Sequence, residues 1–398
     1  MTGVPIPATA AGYPVKFSFG MGLDSAAVAM RWSEEPGTYE YGDMSDLVFV
    51  VAMTGDEYDA TRRLMETHLL PRFRAHGWRL VQLSRAGQGG GYVVLDDSRA
   101  PKRMIMRGPW SLSDELAAAA TIPQLSHRWC SAHAKSEPLD AWTRDEFGDR
   151  PHISVMGYAA EETRRAQRDI SYASALRIPD YPLRRWSWDR ERCARYLYET
   201  VGEPWVRSAC GYCPYAATTR SLPALVARWR AEPHLAAQAL SLEYTAVALN
   251  DRMPLFGRLS AFDLVQRHGL TDALMLHERQ LSAAEWAVYD VRRIAFPRRD
   301  RPGQKGTVWR SVRRACVGSR SRMTAELQRR AAQAGAAVSV ADNGARRAVL
   351  IARRPDQYPA VERTLALAPA GATEKQRTHF EHHWRALTAR DERPASIA

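Results

Sequence analysis

The chain has 398 residues, of which 45% are hydrophobic, enough for two or three domains with their own cores. It has no apolar run of 18 residues and no basic stretch followed by an apolar one at its N-terminus, so we expect no membrane span, no signal peptide and a cytoplasmic location. The net charge of +12 indicates an anionic partner, and five scattered cysteines favour metal or redox chemistry over disulfides.

Strands and helices alternate through the first half of the chain. The pattern of apolar residues predicts strands at 13–19, 46–55, 78–84 and 152–158, and helices at 25–32, 57–77 and 159–169. This alternation predicts an α/β domain with a parallel sheet. Ligands of such sheets bind at the carboxyl ends of the strands.

The second half of the chain has a different pattern. Residues 221–284 carry few strand signals and predict a helical segment. From 285 onward the pattern predicts strands at 286–296, 307–315, 336–341 and 346–353, and helices at 320–334 and 356–366. The sequence therefore predicts three parts: an α/β domain over 1–220, a helical segment over 221–284, and a smaller basic α+β domain over 285–398.

A glycine-containing stretch, SFGMGLDS, follows the first predicted strand at residues 18–25. Such a loop between a strand and a helix can direct backbone N–H groups at one anion, and the helix N-terminus adds positive potential. The alternative is a tight strand–helix turn with no ligand. The stretch lacks the Gly-Lys-Ser/Thr ending of a Walker loop and the G-x-G-x-x-G of a dinucleotide site.

The spacing resembles the PP-loop of ATP pyrophosphatases, in the variant found in the phosphoadenosine phosphosulfate (PAPS) reductase-like family. Four further segments are similar to that family in the same order: AMTGDEYDAT (52–61), RWCSAHAKSEPLDAW (128–142), VMGYAAEETRRAQR (155–168), and DYPLRRWSWDRERCARYL (180–197) followed by VRSACGYCPYA (206–216). The resemblance covers about 220 residues and implies an adenine nucleotide alpha hydrolase-like (HUP-type) domain. The chain departs from it at Met21, which replaces a glycine, and at Met53, which replaces an acidic residue.

The resemblance implies a site for ATP and Mg²⁺ in which ATP is cleaved between its α and β phosphates. Asp24 would assist Mg²⁺ or hold the shape of the loop, and Lys135 would place a point charge on a phosphate. One of Arg164 and Arg165 would reach the α-phosphate, and the other would lie on a solvated helix face. The full set of implied nucleotide-binding residues is Ser18, Gly20, Gly22, Asp24, Ser25, Thr54, Gly55, Lys135, Gly157, Arg164 and Arg165.

Cys210 and Cys213 form a C-x-x-C pair, which by itself fits a redox dithiol or half of a zinc site. With Cys130 and Cys193 as further ligands, four thiolates could bind zinc or a [4Fe–4S] cluster. The family resemblance favours the [4Fe–4S] cluster, with zinc as the alternative. Cys193 could instead be a buried helix cysteine, and Cys316 has no partner at ligand spacing.

Three function classes follow. The favoured one is a PP-loop ATPase that adenylates a substrate, for sulfur transfer to a nucleic acid or another modification of it, with a sulfur donor such as a cysteine desulfurase as partner. The alternative is a nucleic-acid-binding protein with a degenerate PP-loop. A sulfonucleotide reductase is disfavoured because the chain lacks the C-terminal Glu-Cys-Gly-Leu-His segment that holds the nucleophilic cysteine of those enzymes.

Residues 281–354 carry 17 basic and 5 acidic residues, an excess equal to the net charge of the whole chain. Arginine pairs recur in this region, and several of them lie in predicted strands, where neighbouring side chains point to opposite faces. This region is either an arginine-rich solvated surface or a surface that binds DNA or RNA. In the second case Tyr289 and Trp309 would be available to stack on bases. The pairs lie at 292–293, 298–299, 313–314, 329–330, 346–347 and 353–354.

Overall fold

The structure, a computed structural model, describes residues 12–124, 128–354 and 357–391. The N-terminal segment in which we expect no signal peptide falls largely outside these residues. The chain divides into two compact units, the first formed by Met1–Glu115 with Gln124–Ala216 and the second by Leu116–Pro123 with Ala217–Ala398. Among the described residues, no helix is long and apolar enough to cross a membrane.

A six-stranded sheet forms the centre of the first unit, counted over the described residues. Its order is β4-β3-β2-β1-β5-β6, and all pairs are parallel except β3–β4. The α/β class and the mostly parallel sheet are therefore confirmed. The strands are β1 (Val15–Ser18), β2 (Leu47–Met53), β3 (Arg79–Arg85), β4 (Tyr92–Ser98), β5 (His152–Met156) and β6 (Arg177–Asp180).

The helices of this unit follow the strands as the apolar periodicity predicts. The predicted helix at 57–77 runs as α2 (Asp59–Leu64), a π turn (Met65–Leu69) and α3 (Leu70–His76). It ends at Gly77, whose φ of 63° is the left-handed conformation of a glycine C-cap. The remaining helices are α1 (Leu23–Glu34), α4 (Leu112–Ala119), α5 (Trp129–Ser131), a π turn (Ala132–Ser136), α6 (Glu137–Phe147), α7 (Thr163–Ile170), α8 (Pro182–Arg185) and α9 (Arg190–Val201).

An aromatic cluster packs against one face of this sheet. Phe17 on β1 and Phe49 on β2 have ring centroids 5.4 Å apart, and Phe49 lies 4.4 Å from Phe73. All three rings are fully buried, together with Trp32 on α1. Burial of each such side chain stabilises the fold by about 1.5–3 kcal/mol. The cluster therefore gives the carboxyl ends of β1 and β2 a rigid support.

The second unit contains four helices followed by an antiparallel sheet, which has five strands in the described part of the chain. The sheet order is β8-β7-β11-β10-β9. The helices α10 (Leu222–Ala231), α11 (Pro233–Leu249), α12 (Ala261–Arg267) and α13 (Thr271–Ala283) confirm the helical pattern of 221–284. The other elements are β7 (Trp286–Pro297), β8 (Lys305–Gly318), α14 (Arg320–Gln333), β9 (Val338–Val340), β10 (Arg346–Ile351), β11 (Ala360–Pro369) and α15 (Phe380–Asp391).

One predicted element of this unit is wrong. The helix expected at 356–366 is instead the strand β11, which pairs with β7 and β10 in the middle of the sheet. A strand buried on both faces shows no polar–apolar alternation, so its pattern is indistinguishable from that of a helix. Its charged residues are neutralised across strands, Glu362 by Arg293 at 2.9 Å and Arg363 by Asp290 at 2.8 Å.

Candidate functional site

The loop between β1 and α1, residues 19–22, lies at the carboxyl end of the sheet. The Phe19 N–H donates to the Val50 carbonyl and the Ala26 N–H to the Gly22 carbonyl. Between them, the six consecutive N–H groups of Gly20 to Ser25 make no hydrogen bond with any described group. Unpaired donors at a helix N-terminus are able to bind an anion.

Met21, the departure from a glycine-rich loop, has the backbone conformation that a glycine would provide. Its φ is 57°, which costs an L-residue about 1–2 kcal/mol. Its side chain is fully buried in the core, and its carbonyl accepts a hydrogen bond from Trp205 Nε1 at 3.1 Å. Core packing and this hydrogen bond hold the loop in its conformation despite the missing glycine.

Gly157, after β5, packs directly on the start of α1. A Cβ at this position would lie 3.0 Å from both the N and the Cα of Ser25. Only a glycine therefore allows β5 and α1 to approach this closely. The Ser25 hydroxyl itself donates to the Gly22 carbonyl at 3.1 Å, which closes the first turn of the helix.

Asp24 has one paired and one unpaired oxygen. Its Oδ2 lies 3.3 Å from Nε of Arg190, the first residue of α9, while Oδ1 is buried and has no hydrogen-bond partner among the described residues. Burial raises the pKa of Asp24, and the charge of Arg190 opposes that shift. Arg190 also donates to Glu162 at 2.8 Å, so one guanidinium joins α1, α9 and the turn before α7.

The two arginines expected near phosphate differ in their surroundings. Arg165 is bound to Glu162 at 2.6 Å and lies over the ring of Tyr158 at 4.5 Å. Arg164 is exposed and makes no ion pair within the described ranges. The cation beside Asp24 is Arg190, which sequence reasoning missed because nothing in its spacing distinguishes it from the other arginines of the segment 184–195.

Thr54 and Gly55 form a tight turn after β2. Their N–H groups donate to the two carboxylate oxygens of Glu57, at 3.0 and 3.2 Å. Gly55 has a φ of 87°, and a Cβ there would lie 2.5 Å from Cβ of Ser111. Both amides are thus already hydrogen-bonded within the protein, unlike those of the β1–α1 loop.

The acidic residues of this turn act within the fold. Asp56, 3% exposed, accepts hydrogen bonds from the Ser113 N–H and hydroxyl, each at 2.7 Å, and from the Tyr212 hydroxyl at 2.6 Å. Met53, where the family has an acidic residue, is buried in the core. Asp56 therefore joins the end of β2 to α4 and to the C-x-x-C segment.

Of the four expected cysteine ligands, Cys210 has neighbours at the end of β2, and Cys130 lies near Cys213. Cys210 pairs with Glu57 in a short antiparallel bridge, and its sulfur lies 3.3 Å from Oγ1 of Thr54. Burial and the Glu57 charge raise the pKa of Cys210, and Lys135, whose Nζ lies 3.8 Å from Glu57, opposes that shift. Burial and the neighbouring thiol of Cys213 raise the pKa of Cys130.

Cys193 occupies a different environment. It is fully buried in the hydrophobic core, and burial followed by the charges of Asp24 and Glu161 raises the pKa of its thiol. Among the described residues, no three thiols lie within 4.8 Å of one another. The described part of the chain therefore holds no thiolates as close together as zinc requires, since Zn–S bonds of about 2.3 Å bring sulfurs within about 4 Å of one another.

The structure corrects one expectation about the basic region. Tyr289 is fully buried, and its hydroxyl donates to the Pro369 carbonyl at 2.9 Å, so it does not stack on bases. Trp309 is partly buried between Phe296 and His383, with ring centroids 5.0 and 5.2 Å away. Its neighbour Arg377 lies 5.8 Å from the ring centroid.

Arg292 and Arg293, adjacent on β7, contact different elements, and both serve packing. Arg292, 8% exposed, binds Glu381 at 2.9 Å and lies over the rings of Phe380 and Trp384. Arg293, also 8% exposed, binds Glu362. In contrast, Arg299 and Arg301 are exposed in the β7–β8 loop, and no described carboxylate lies within 4 Å of either.

Comparisons of the chain with protein-family models, with curated proteins and with solved structures find no match. The functional proposal therefore depends on the residues themselves.

Proposed function

We propose that the chain is a PP-loop ATPase that cleaves ATP to AMP and pyrophosphate in order to adenylate a substrate. The observation that supports this most directly is the run of six N–H groups from Gly20 to Ser25, at the start of α1, that no described group accepts. A pyrophosphate carries several anionic oxygens, and a run of backbone donors matches such a ligand better than a single carboxylate.

In the proposed reaction, the residues of the chain bind ATP and stabilise the leaving group. The loop amides hold the β and γ phosphates, and an oxygen of the substrate attacks the α-phosphorus. The bond to the bridging oxygen breaks, pyrophosphate leaves, and AMP remains on the substrate; with water as the attacking group, the product is free AMP. The donors stabilise the charge that develops on the leaving pyrophosphate.

Asp24 fits a Mg²⁺ ion, because its Oδ1 is a buried carboxylate oxygen without a protein partner among the described residues. The ion would neutralise phosphate charge. The fit to a [4Fe–4S] cluster is partial. Cys130 lies near Cys213, and the Cys213 N–H donates to the Cys210 carbonyl. Cys193, in contrast, lies in the core beside Asp24. No step of the proposed reaction depends on a cluster.

The proposed substrate is a nucleic acid, which the second unit would bind. Support comes from three exposed cations, Arg299 and Arg301 in the β7–β8 loop and Lys305 at the start of β8. These side chains can neutralise phosphates without breaking an ion pair in the fold. The group that replaces AMP would come from a separate donor. We propose that this group is sulfur and that its donor is a cysteine desulfurase.

The test is product analysis with purified protein, Mg²⁺ and ATP, with and without tRNA or DNA. We expect AMP and pyrophosphate in equal amounts, and a loss of at least a hundredfold in Asp24→Asn. Glu191→Gln is the matched control, since Glu191 is an exposed acid on α9 with an 85% accessible side chain. Production of ADP, or full activity in Asp24→Asn, would contradict the proposal. Nucleic-acid binding without ATP cleavage would favour the non-enzymatic alternative.

A further inference from the structure

The exposed side of α7 carries two arginines that no described carboxylate neutralises. Arg164 and Arg168 are four residues apart, so they lie one turn from each other on the same side of the helix. Both are exposed, and neither has a carboxylate within 4 Å among the residues that the structure describes. The buried residue of α7, Ala166, lies on the opposite side. This helix therefore presents two guanidinium groups to solvent.

Two acidic residues of this region bind other arginines. Glu162, which precedes α7, accepts a hydrogen bond from Arg190 at 2.8 Å. Asp169, near the end of α7, accepts from Arg177 at 2.8 and 2.9 Å. Because both carboxylates are held within the fold, they leave the two exposed arginines of α7 able to meet an external anion.

A tyrosine continues the line of the two arginines. Tyr172 lies four residues after Arg168, in the turn that ends α7, where its N–H donates to the Asp169 carbonyl at 3.0 Å. Its side chain is 61% exposed. At a rise of about 1.5 Å per residue, the line from Arg164 to Tyr172 is about 12 Å long. Two cations and one aromatic ring thus follow each other along one exposed side.

The Arg164 end of this line is the end nearer to the β1–α1 loop. Since α7 connects the parallel strands β5 and β6, it runs from the carboxyl edge of the sheet towards the amino edge. Glu162, two residues before Arg164, is joined to Asp24 through one guanidinium, with Arg190 at 2.8 Å from Glu162 and 3.3 Å from Asp24. A chain bound along α7 therefore has one end close to Asp24.

We propose that Arg164, Arg168 and Tyr172, which we call the α7 surface, bind a single-stranded segment of nucleic acid and orient it towards the β1–α1 loop. Guanidinium groups bind backbone phosphates through charge-assisted hydrogen bonds, and an exposed aromatic ring stacks on an unpaired base. The bases of a duplex are already stacked on each other, so Tyr172 favours a single strand. The proposal rests on the nucleic-acid substrate of the proposed function and adds a contact on the first unit.

The tyrosine is tested by fluorescence anisotropy with a single-stranded DNA of about 20 nucleotides and with the same DNA as a duplex. Tyr172→Ala should lose at least about fivefold in affinity for the single strand, because base stacking is lost, and should keep its affinity for the duplex within about twofold. Tyr172→Phe, which keeps the ring, should bind as wild type does. Tyr198→Ala is the matched control, since Tyr198 on α9 is 57% exposed and the preceding Arg195 is ion-paired.

The arginines are tested by the salt dependence of single-strand binding. Arg164→Gln combined with Arg168→Gln should lower the slope of the logarithm of affinity against the logarithm of salt concentration by about 1.4, because two phosphate contacts are lost. Arg195→Gln should leave the slope unchanged, because Arg195 already pairs with Glu191 on α9.

Wild-type affinity for the single strand in Tyr172→Ala, or a wild-type slope in the double arginine variant, would overturn the proposal. An equal loss in Tyr198→Ala, or an equal loss on the duplex, would also overturn it. AMP and pyrophosphate are measured with the same preparations. Absence of ATP cleavage in wild type would reject the proposed function, whereas the comparison of Tyr172→Ala with Tyr198→Ala would still decide whether the α7 surface binds a single strand.

Discussion

The Asp24 carboxylate on α1 and the Arg190 guanidinium on α9 lie 3.3 Å apart, although 166 positions separate them in the chain. The pair fixes the first turn of α9 against the first turn of α1, beside the six amides from Gly20 to Ser25 that have no described partner. Arg190 thus compensates the charge of Asp24, while Oδ1 keeps no partner among the residues that the structure describes. We regard Arg190 as a positioning residue that acts through Asp24.

Arg190→Met should move the acid limb of pyrophosphate release to higher pH. Burial raises the pKa of Asp24 and Arg190 lowers it, so removal of Arg190 leaves Asp24 protonated up to a higher pH. Arg190→Lys should restore part of the shift. The measurement is the pH dependence of the rate, with Arg195→Met as control, because Arg195 lies on the exposed side of α9 and pairs with Glu191. An unchanged acid limb in Arg190→Met would show that the pair has no role in ionisation.

Gly157→Ala should destabilise the first unit by about 1–3 kcal/mol and reduce ATP cleavage, because the new Cβ would lie 3.0 Å from the backbone of Ser25. Backbone atoms cannot move aside as a flexible side chain can. Gly89→Ala is the matched control, since a Cβ there meets nothing within 4 Å. Urea unfolding and product analysis give the two readouts. Equal stability and activity in both variants would mean that this close approach does not shape the loop.

Acid should destabilise the first unit through His152. Burial and then the charge of Lys16 lower the pKa of His152 to about 4, and both ring nitrogens lack a partner among the described residues. Because the unfolded chain binds the proton near pH 6.5, this contribution is complete above 6.5 and is lost as the pH falls towards 4. At pH 5 the expected loss is about 2 kcal/mol.

The check is the free energy of unfolding in urea at pH 7.5, 6 and 5. His152→Phe should keep wild-type stability at pH 7.5, since its ring stacks on Phe147 at 4.6 Å, and should lose much of the pH slope. A remaining slope is expected from His277, whose pKa burial also lowers to about 4. His382→Gln, an exposed control, should retain the full slope. A wild-type slope in His152→Phe would contradict this assignment.

The sequence predicted the alternating half of the chain well because buried parallel strands and amphipathic helices have strong local patterns. The loop residues Gly20, Gly22, Asp24 and Ser25 are adjacent in the chain, so their spacing was visible. Contacts between residues far apart in the chain were not visible in the sequence. Arg190 beside Asp24 and Trp205 on the Met21 carbonyl depend on where α9 and the following segment pack, which local pattern does not encode.

The central strand β11 was missed for a related reason. Its buried run carries no alternation. What identifies it as a strand is its pairing with β10, the preceding element, and with β7, which lies more than 60 residues earlier in the chain. The same holds for the arginines. Sequence position cannot distinguish Arg292, held by Glu381, from Arg299, which is exposed.

Metal content should distinguish the four cysteines. Cys210→Ser should lose iron and sulfide from anaerobically purified protein, because Cys210 lies among polar and charged groups at the end of β2. Cys193→Ala should retain the metal, because Cys193 is enclosed in the apolar core. Loss of iron in both variants would show that Cys193 also binds the metal. Stoichiometric zinc in wild-type protein from an iron-replete preparation would indicate that the site holds zinc and not an iron–sulfur cluster.

The last prediction separates arginines that bind a partner from arginines that support the fold. Arg299→Gln combined with Arg301→Gln should leave the free energy of unfolding within about 0.5 kcal/mol of wild type, because both side chains are exposed and neither pairs with a described carboxylate. If they contact phosphates, the slope of the logarithm of DNA affinity against the logarithm of salt concentration should fall by about 1.5–2.

Arg292→Met is the opposing control for this measurement. Arg292 is 8% exposed, and its guanidinium is bound to Glu381 at 2.9 Å and lies over the rings of Phe380 and Trp384 in α15. Its loss should cost about 1–3 kcal/mol, since the Glu381 carboxylate loses its partner, and should leave the salt slope unchanged. A reduced slope in Arg292→Met, or an unchanged slope in the double variant, would place the nucleic-acid contacts elsewhere on the second unit, because counterion release counts only cations that meet phosphates.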